Sequence, residues 1–162
     1  MDNPIVSARD AANDPRILVF GRLLGAANRL DYILGRALEE EVGIPHSLFE
    51  LLLVIGRAGE NGTSLRDIAQ ARVLTSGGAT RLVKRASEQG LIRQQTSVED
   101  ARKQIVHLTP TGEALLVRAS TFHVHNIERY LIDVLPADQA KVFAEAIKSL
   151  SQNAARSLPT MP

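Results

Sequence analysis

The sequence predicts a mainly α-helical protein with one small β-sheet near the middle of the chain, and three observations support this. Apolar residues recur at three- and four-residue spacing over most of the chain, as they do in amphipathic helices. Two short runs, residues 91–95 and 104–108, have the composition of strands and enclose a charged loop. The chain has 162 residues, of which 44% are hydrophobic, and this suits one domain with a buried core. We therefore expect a single domain, residues 1–162, with several helices and a β-hairpin.

Periodicity and capping residues predict the helices of the first half. One long helix is expected over residues 15–41, where leucine, isoleucine and alanine recur on one face. A second is expected from Ser47 to about Arg57, because Ser47 and Glu50 have the spacing of a capping box and the glycines of "AGENG" follow. A third, short helix is expected after Ser64, which is a favourable N-cap residue.

The next helix, between Thr75 and Gly90, combines an apolar stripe with a polar face. Thr75 is predicted as its N-cap and Gly90 as its C-terminal stop. The stripe consists of apolar residues at positions i, i+3, i+4 and i+7, namely Ala79, Leu82, Val83 and Ala86. The opposite face is polar and mostly basic, and it carries Gly77, Arg81, Lys84 and Glu88, with Thr80 and Arg85 at its margins. We expect the stripe to pack on the core and the polar face to be exposed.

Two consecutive glycines, Gly77 and Gly78, lie at the start of this helix and require a physical reason. Each is expected to cost about 1 kcal/mol relative to alanine. Small residues at a helix N-terminus let a large anionic surface approach the exposed amides closely, and Thr75, Ser76 and Thr80 add hydroxyl groups. The alternative is that packing within the protein tolerates the glycines. We favour anion binding, because a capped short helix precedes this helix and a hairpin follows it.

The loop between the two predicted strands contains both signs of charge. An arginine at the tip of a hairpin can enter the narrow minor groove of DNA, where the potential is most negative. Asp100 could pair with Arg102 and hold the loop in shape, while Lys103 could contact a phosphate. A solvated loop that only keeps the protein soluble is the alternative.

Two long helices are expected after the hairpin, over residues 109–155. Thr109 is a favourable N-cap, and Pro110 follows at the first helical position, where proline loses no hydrogen bond. Pro136 is expected to end this helix and to open the last one. The last helix has one apolar stripe, formed by Val142, Phe143, Ala146, Ile147 and Leu150.

Basic residues are concentrated in the middle of the chain. The net charge is +1, but residues 61–110 hold eight Lys and Arg against four Asp and Glu, whereas the remainder is acidic. A basic middle indicates a negatively charged partner and the part of the chain that meets it. A solvated basic face is the alternative explanation of the charge.

Several classes of protein are disfavoured by what the sequence lacks. The absence of cysteine excludes disulfides, Cys-ligated zinc and thiol redox chemistry. There is no glycine-rich phosphate loop after a strand and no HExxH or GxSxG motif, so we predict a protein that is not an enzyme and needs no cofactor. His123 and His125 point to nearly opposite helix faces, so no shared metal site is expected there. The apolar runs are too short for a membrane span and the N-terminus lacks a secretory signal, so we expect a cytoplasmic protein without a membrane partner.

Five short motifs follow one another in the middle of the chain, namely "LRDIA", "TSGGATRLVKR", "GLIRQ", "DARK" and "VHLTPTG". Together they resemble the winged helix-turn-helix of the MarR family of bacterial transcriptional regulators. As a pattern, the resemblance covers the chain from about Arg16 to Leu150. Two positions depart from it: Ala101 stands where arginine often follows the wing aspartate, and Ala86–Ser87 stands where a Leu–Glu pair is common.

The resemblance implies a winged helix-turn-helix core over residues 47–108, flanked by dimerisation helices over residues 15–41 and 109–155. It implies a homodimer that binds pseudo-palindromic double-stranded DNA and represses transcription. The expected DNA-binding residues lie on the short helix, on the helix that follows and in the charged loop: Ser64, Arg66, Thr75, Ser76, Gly77, Gly78, Thr80, Arg81, Lys84, Arg85, Asp100, Arg102 and Lys103.

The resemblance also implies control by a small molecule, because many family members release DNA when an anionic aromatic compound binds between the dimerisation and DNA-binding parts. The candidate residues for such a ligand are Arg22, Arg29, Tyr32, His46, Arg118 and His123. A surface or structural role for each is the alternative. Two other functions remain open for the whole chain: a winged-helix module that binds proteins, and a DNA-binding protein that needs no ligand. The retained basic residues favour DNA over a protein partner.

Overall fold

The computed structural model describes residues 5–72, 74–97, 100 and 102–158. Within these residues the helices are α1 (Ala8–Asn13), α2 (Pro15–Val42), α3 (His46–Ala58), α4 (Leu65–Ala71), α5 (Ser76–Glu88), α6 (Pro110–Ile127) and α7 (Ala140–Ser157). The strands are β1 (Thr63–Ser64), β2 (Ile92–Thr96) and β3 (Gln104–Leu108). A 3₁₀ turn, Gly59–Asn61, follows α3, and a π-helical turn, Glu128–Ile132, follows α6. The expected mainly helical fold with a small sheet is confirmed.

The core forms around α3, which packs against α2, α4, α5, α6 and β3. Five apolar residues of α3 are almost completely buried, namely Leu48, Phe49, Leu51, Leu52 and Ile55. Complete burial of one such side chain contributes about 1.5–3 kcal/mol, so this helix anchors the fold. The predicted stripe of α5 is confirmed, because Ala79, Val83 and Ala86 are buried and face this core.

The sheet is antiparallel, with strand order β1-β3-β2. The hairpin pairs Ile92 with Leu108 at one end and Thr96 with Gln104 at the other. The short strand β1, which the sequence did not predict, pairs Thr63 with Val106. Two residues are too few to produce an alternating pattern, and their pairing joins the start of α4 to the hairpin.

Three of the predicted helix caps are confirmed. The hydroxyl oxygens of Ser64, Thr75 and Thr109 accept hydrogen bonds from backbone N–H groups three residues later, at 3.2, 3.2 and 3.1 Å. Gly90, the predicted stop, has a φ of +67°, a left-handed conformation that favours glycine. These local signals fix the ends of α4, α5 and α6.

The capping box predicted at Ser47 and Glu50 is wrong. The helix α3 begins one residue earlier, at His46, and its N-cap is Pro45, which has an extended backbone and no side-chain cap bond. Because Pro45 already sets the start of the helix, Glu50 does not reach back to the N-cap. Glu50 instead forms an ion pair with Arg72, the residue that ends α4.

The two ends of the chain also differ from the expectation. The short helix α1, which the sequence did not predict, is capped by Ser7. The helix α6 ends at Ile127 and continues as the π-helical turn, and Pro136 lies in a turn where its carbonyl accepts the N–H of Gln139 at 2.8 Å. The last helix therefore begins at Ala140 and not at Pro136.

Among the described residues, no single helix is long and apolar enough to cross a membrane. The segments Pro15–Val42 and His46–Asn61 pass that test only together, by length and composition, as a pair bent by 88°.

Candidate nucleic-acid interface

The expected DNA-binding residues lie on three neighbouring elements of the fold. Four residues, 72–75, separate α4 from α5 along the chain, and the hairpin β2–β3 follows α5 directly. The basic side chains that these elements expose are Arg66, Arg81, Lys84, Arg85, Arg93, Arg102 and Lys103. A large polyanion could contact all three elements, because opposing charge attracts it to each of them.

The first turn of α5 is open on its outer side. A Cβ added at Gly77 would meet no atom within 4 Å, whereas one added at Gly78 would lie 3.3 Å from the hydroxyl oxygen of Thr75. Neither glycine has a positive φ. Backbone conformation and packing within the chain therefore give no reason for Gly77, although Gly78 lies close to the helix cap.

The hydroxyl groups near this turn are partly engaged within the protein. Thr80 donates its hydroxyl proton to the carbonyl of Ser76 at 2.9 Å, so it is not free to donate to a phosphate. The hydroxyl of Thr75 accepts the N–H of Gly78 and can still donate its own proton. At the start of α4, the hydroxyl of Ser64 donates to Asp67 at 2.6 Å and also caps the helix. Thr75 is therefore better placed than Thr80 or Ser64 to donate to an anion.

The loop of the hairpin is held by Asp100 in a way that the sequence predicted only in part. The carboxylate oxygen Oδ1 of Asp100 accepts the backbone N–H of Arg102 at 3.0 Å and not its guanidinium. The other oxygen, Oδ2, lies 3.9 Å from the ammonium of Lys103. The backbone N–H of Lys103 donates to the carbonyl of Asp100 at 2.9 Å. The acid thus shapes the backbone of the turn, and the side chain of Arg102 remains exposed.

Besides Lys103, two basic residues in the middle of the chain have acidic partners among the described residues. Lys84 lies 3.8 Å from Glu88 on the exposed face of α5, and such exposed pairs contribute little. Arg72 is turned inwards to Glu50 and is only partly exposed. Arg72 therefore does not add to the basic surface, although the sequence counted it there.

Two of the six candidate ligand residues, His46 and His123, lie together where α2, α3 and α6 meet. Their ring centroids are 5.5 Å apart, and Phe49 packs edge-on against His123 at 4.8 Å. The Nδ1 atom of His46 lies 2.7 Å from the carboxylate of Asp31. His123 is 8% exposed, and its Nδ1 atom is buried without a hydrogen-bond partner among the described residues. This cluster could offer a polar group to a ligand that enters between the helices.

The other four candidates do not join this cluster in the structure. Arg118 donates to the carbonyl of Val42 at 3.3 Å, which ties α6 to the end of α2. Arg22, Arg29 and Tyr32 are exposed along α2.

His123 is expected to make the protein less stable in acid. Burial, and next the charge of His46, lowers the pKa of His123 below its ordinary value. As the pH falls through about 6.5, the unfolded chain takes up a proton here that the folded chain does not, so stability falls. His123→Phe removes this group and should reduce the loss of stability between about pH 7.5 and about pH 5.5, measured by urea unfolding.

His125→Phe is the matched control, because His125 lies on the same helix but is exposed. It should retain the pH dependence of the unchanged protein. If the free energy of unfolding depends on pH equally in the His123→Phe variant and in the unchanged protein, His123 is not the group that destabilises the protein in acid.

The arrangement of these elements defines the class of the protein. A helix-turn-helix, α4 and α5, followed by an antiparallel hairpin with a charged loop, is a winged helix-turn-helix. Residues 42–103, which contain α3, α4, α5 and the first strand of the hairpin but not β3, match the sequence profile of the MarR family. Over residues 42–103 the chain is therefore similar to the MarR family, and its fold is that of a winged helix-turn-helix protein.

Solved structures of similar fold cover almost the whole chain. Sco3205 from Streptomyces coelicolor, a MarR family transcriptional regulator solved in complex with DNA, is 23% identical with a TM-score of 0.77, over 94% of this chain and 91% of that one. A MarR mutant from E. coli, complexed with operator DNA, is 21% identical with a TM-score of 0.72, over 83% and 95%. CouR from Rhodococcus jostii RHA1, bound to p-coumaroyl-CoA, is 19% identical with a TM-score of 0.72, over 90% and 95%. No curated protein sequence matches this chain significantly.

Three residues near the site were not identified from the sequence. Asp31, Glu50 and Arg72 pair with residues on other helices, and local spacing gives no signal for such contacts. The spacing of Glu50 from Ser47 predicted a capping box, whereas the partner of Glu50 in the structure is Arg72.

Proposed function

We propose that this protein represses transcription as a homodimer that binds a pseudo-palindromic operator in duplex DNA. The observation that carries the proposal is Gly77, a helical glycine that no contact among the described residues requires, at the start of a helix with an exposed basic face. At this position, close approach of a helix N-terminus to phosphates explains the missing side chain. The two similar folds solved with DNA support the same function.

A second copy of the chain is the proposed cover for the apolar faces of α2 and α7. No residue of α7 is buried among the described residues, although the helix exposes Val142, Ile147 and Leu150. The N-terminal half of α2 also exposes large apolar side chains, namely Ile17, Leu18, Val19, Phe20, Leu23 and Leu24. Apolar faces of this extent are typical of surfaces that bind another protein. The predicted dimerisation segments, 15–41 and 109–155, contain both faces.

The protein should select a two-fold DNA site from a pool of random duplexes. Because each protomer of a symmetric dimer offers one α5 and one hairpin, the two half-sites should lie about one helical turn, roughly 10 base pairs, apart. Sedimentation of the protein, free and on the selected site, measures the stoichiometry. A stable monomer at about micromolar concentration, or a selected site without two-fold symmetry, would contradict the proposal.

The variant Gly77→Ala is expected to weaken DNA binding without making the protein less stable, and it is measured on the same selected DNA site. The added methyl group has open space, and alanine favours a helix by about 1 kcal/mol, so the variant should be at least as stable as the unchanged protein. It should nevertheless bind the selected site more weakly, because the methyl group lies where the phosphates approach.

We further propose that a small aromatic anion weakens DNA binding by occupying the region of His46 and His123. The Nδ1 atom of His123, which is buried without a hydrogen-bond partner among the described residues, supports the position of this site. The structure of CouR bound to p-coumaroyl-CoA supports ligand binding by a similar fold. A panel of aromatic carboxylates and phenols should contain a compound that lowers DNA affinity by about 5–150-fold. His123→Phe should weaken that response. A panel that changes neither the melting temperature nor DNA affinity would favour a DNA-binding protein that needs no effector.

A further inference from the structure

An ion pair joins the middle of α3 to the turn of the helix-turn-helix. The Nη2 atom of Arg72 contacts the carboxylate of Glu50, and the two side chains are only 24% and 29% exposed. Neither residue is among the DNA-binding residues that we assigned. The pair links the central helix of the core to the residue from which the turn begins.

The backbone of this turn is fixed at its start. The N–H of Arg72 donates to the carbonyl of Ile68 at 3.0 Å, and the N–H of Leu74 donates to that of Ala69 at 2.9 Å. Thr75 then caps α5. Because so few residues separate the two helices, a force on the side chain of Arg72 is transmitted to the start of α5.

Small changes in this turn have large effects at the far end of α5. The helix has 13 residues and is therefore about 20 Å long, so a rotation of about 10° at the turn moves its last residue by about 3 Å. A shift of this size breaks a hydrogen bond to a base or a phosphate. The fully buried contacts of α5 come from the small side chains of Ala79, Val83 and Ala86, and apolar contacts of this kind are not directional. A charge-assisted hydrogen bond is directional, and it can fix the orientation that apolar packing leaves loose.

The charge of Arg72 is partly buried, and two acidic residues act on it. Burial lowers the pKa of Arg72, and the negative charge of Asp31 on α2 acts in the opposite direction. The Nε atom of Arg72 is buried without an acceptor among the described residues. The carboxylate of Glu50 therefore provides the direct compensation for this partly buried charge, and removing either partner leaves the other without it.

We propose that Glu50 and Arg72 are positioning residues for DNA recognition, which hold the turn so that α5 presents its exposed face at the angle that duplex DNA requires. Neither side chain contacts the DNA. The inference rests on the proposed DNA-binding function.

The experiment compares Arg72→Gln, Glu50→Gln and the double variant on the selected DNA site, at a temperature well below the melting temperature of each. Each single substitution should lower DNA affinity about tenfold, and the double variant should lose no more than the singles, because one interaction is removed in all three. The slope of the logarithm of affinity against the logarithm of salt concentration should not change, because no phosphate contact is lost. Arg72→Lys should recover part of the affinity. Arg36→Gln is the matched control, since it removes an exposed Arg–Glu pair on α2, Arg36 with Glu40, and should have no effect.

A salt slope that falls by about one unit in Arg72→Gln would show that Arg72 contacts a phosphate and would overturn the proposal. Unchanged affinity in the Glu50→Gln or Arg72→Gln variant would overturn it as well. Amide hydrogen exchange of the DNA-free protein gives a second readout: exchange at residues 74–80 should become faster in both single variants and not in Arg36→Gln, and unchanged exchange would also overturn it. If the unchanged protein selects no duplex, the proposed function fails, while the exchange measurement still decides whether the pair positions α5.

Discussion

Gly112→Ala is expected to lower the free energy of unfolding by about 3 kcal/mol or more. Gly112 is buried in the first turn of α6, against the backbone of Leu91. A Cβ at this position would lie 2.9 Å from the carbonyl carbon of Leu91 and closer still to its oxygen. That carbonyl is already held in place, because it accepts the N–H of Thr109 at 3.0 Å. The added methyl group must therefore separate α6 from the start of the hairpin.

Urea unfolding of the Gly112→Ala variant and of the unchanged protein measures the difference in the free energy of unfolding. Gly77→Ala is the control. Both substitutions add a methyl group in the first turn of a helix, but the one at Gly77 enters open space. A Gly112→Ala variant as stable as the control would show that the backbone of Leu91 can move at little cost.

The reason for Gly112 could not be seen in the sequence. The motif "VHLTPTG" gave the start of α6 correctly, because Thr109 and Pro110 act through the backbone next to them. Gly112 is required by a carbonyl that is distant along the chain, and its own neighbours give no indication of that contact. Local chemistry predicted the starts of α4, α5 and α6, whereas contacts between elements needed the fold.

The ion pairs between helices likewise could not be predicted from local spacing in the sequence. His46 pairs with Asp31, and Glu50 pairs with Arg72, in each case across two helices. The spacing of Ser47 and Glu50 satisfied a local rule, but Pro45 had already set the start of α3, so tertiary contact decided the partner of Glu50. A side chain with two possible partners cannot be assigned from spacing alone.

The exposed face of α5 was predicted more completely, because helical periodicity determines which side chains share a face. Arg81, Lys84 and Arg85 are exposed as expected. The hydroxyl of Thr80 differs, since it donates to the carbonyl one turn earlier, a local bond that competes with any external acceptor. The sequence thus predicted which side chains lie on the exposed face of α5. It did not predict which of their hydrogen-bonding groups are already engaged within the protein.

Arg102→Ala is expected to weaken DNA binding most on sites with A·T-rich flanks. The narrow minor groove of such flanks has the most negative potential, and the exposed side chain of Arg102 lies on the turn of the hairpin. The salt slope should fall by about one unit if one charge contact is lost. Arg81→Ala should differ, with a loss of discrimination at one base pair of about 1–3 kcal/mol and no dependence on the flanks.

Two variants separate the hydrogen bond that Asp100 accepts in the turn from the negative charge that it carries. Asp100→Ala removes the acceptor for the backbone N–H of Arg102, so the turn loosens and a milder form of the Arg102 defect should appear. Asp100→Asn keeps an oxygen at that position but removes the negative charge and the pairing with Lys103. This variant should bind DNA at least as tightly as the unchanged protein, because a charge that repels phosphate is lost while the turn is kept.

Titration of all four variants against salt, on sites with A·T-rich and G·C-rich flanks, tests both roles together. If the acid acts by shaping the backbone, Asp100→Ala must weaken DNA binding, whereas Asp100→Asn must not weaken it. If both tighten binding equally, the acid only repels DNA and does not shape the loop. An Arg102→Ala defect that is the same on both kinds of flank would place Arg102 on the phosphate backbone, because only the groove distinguishes the two sites.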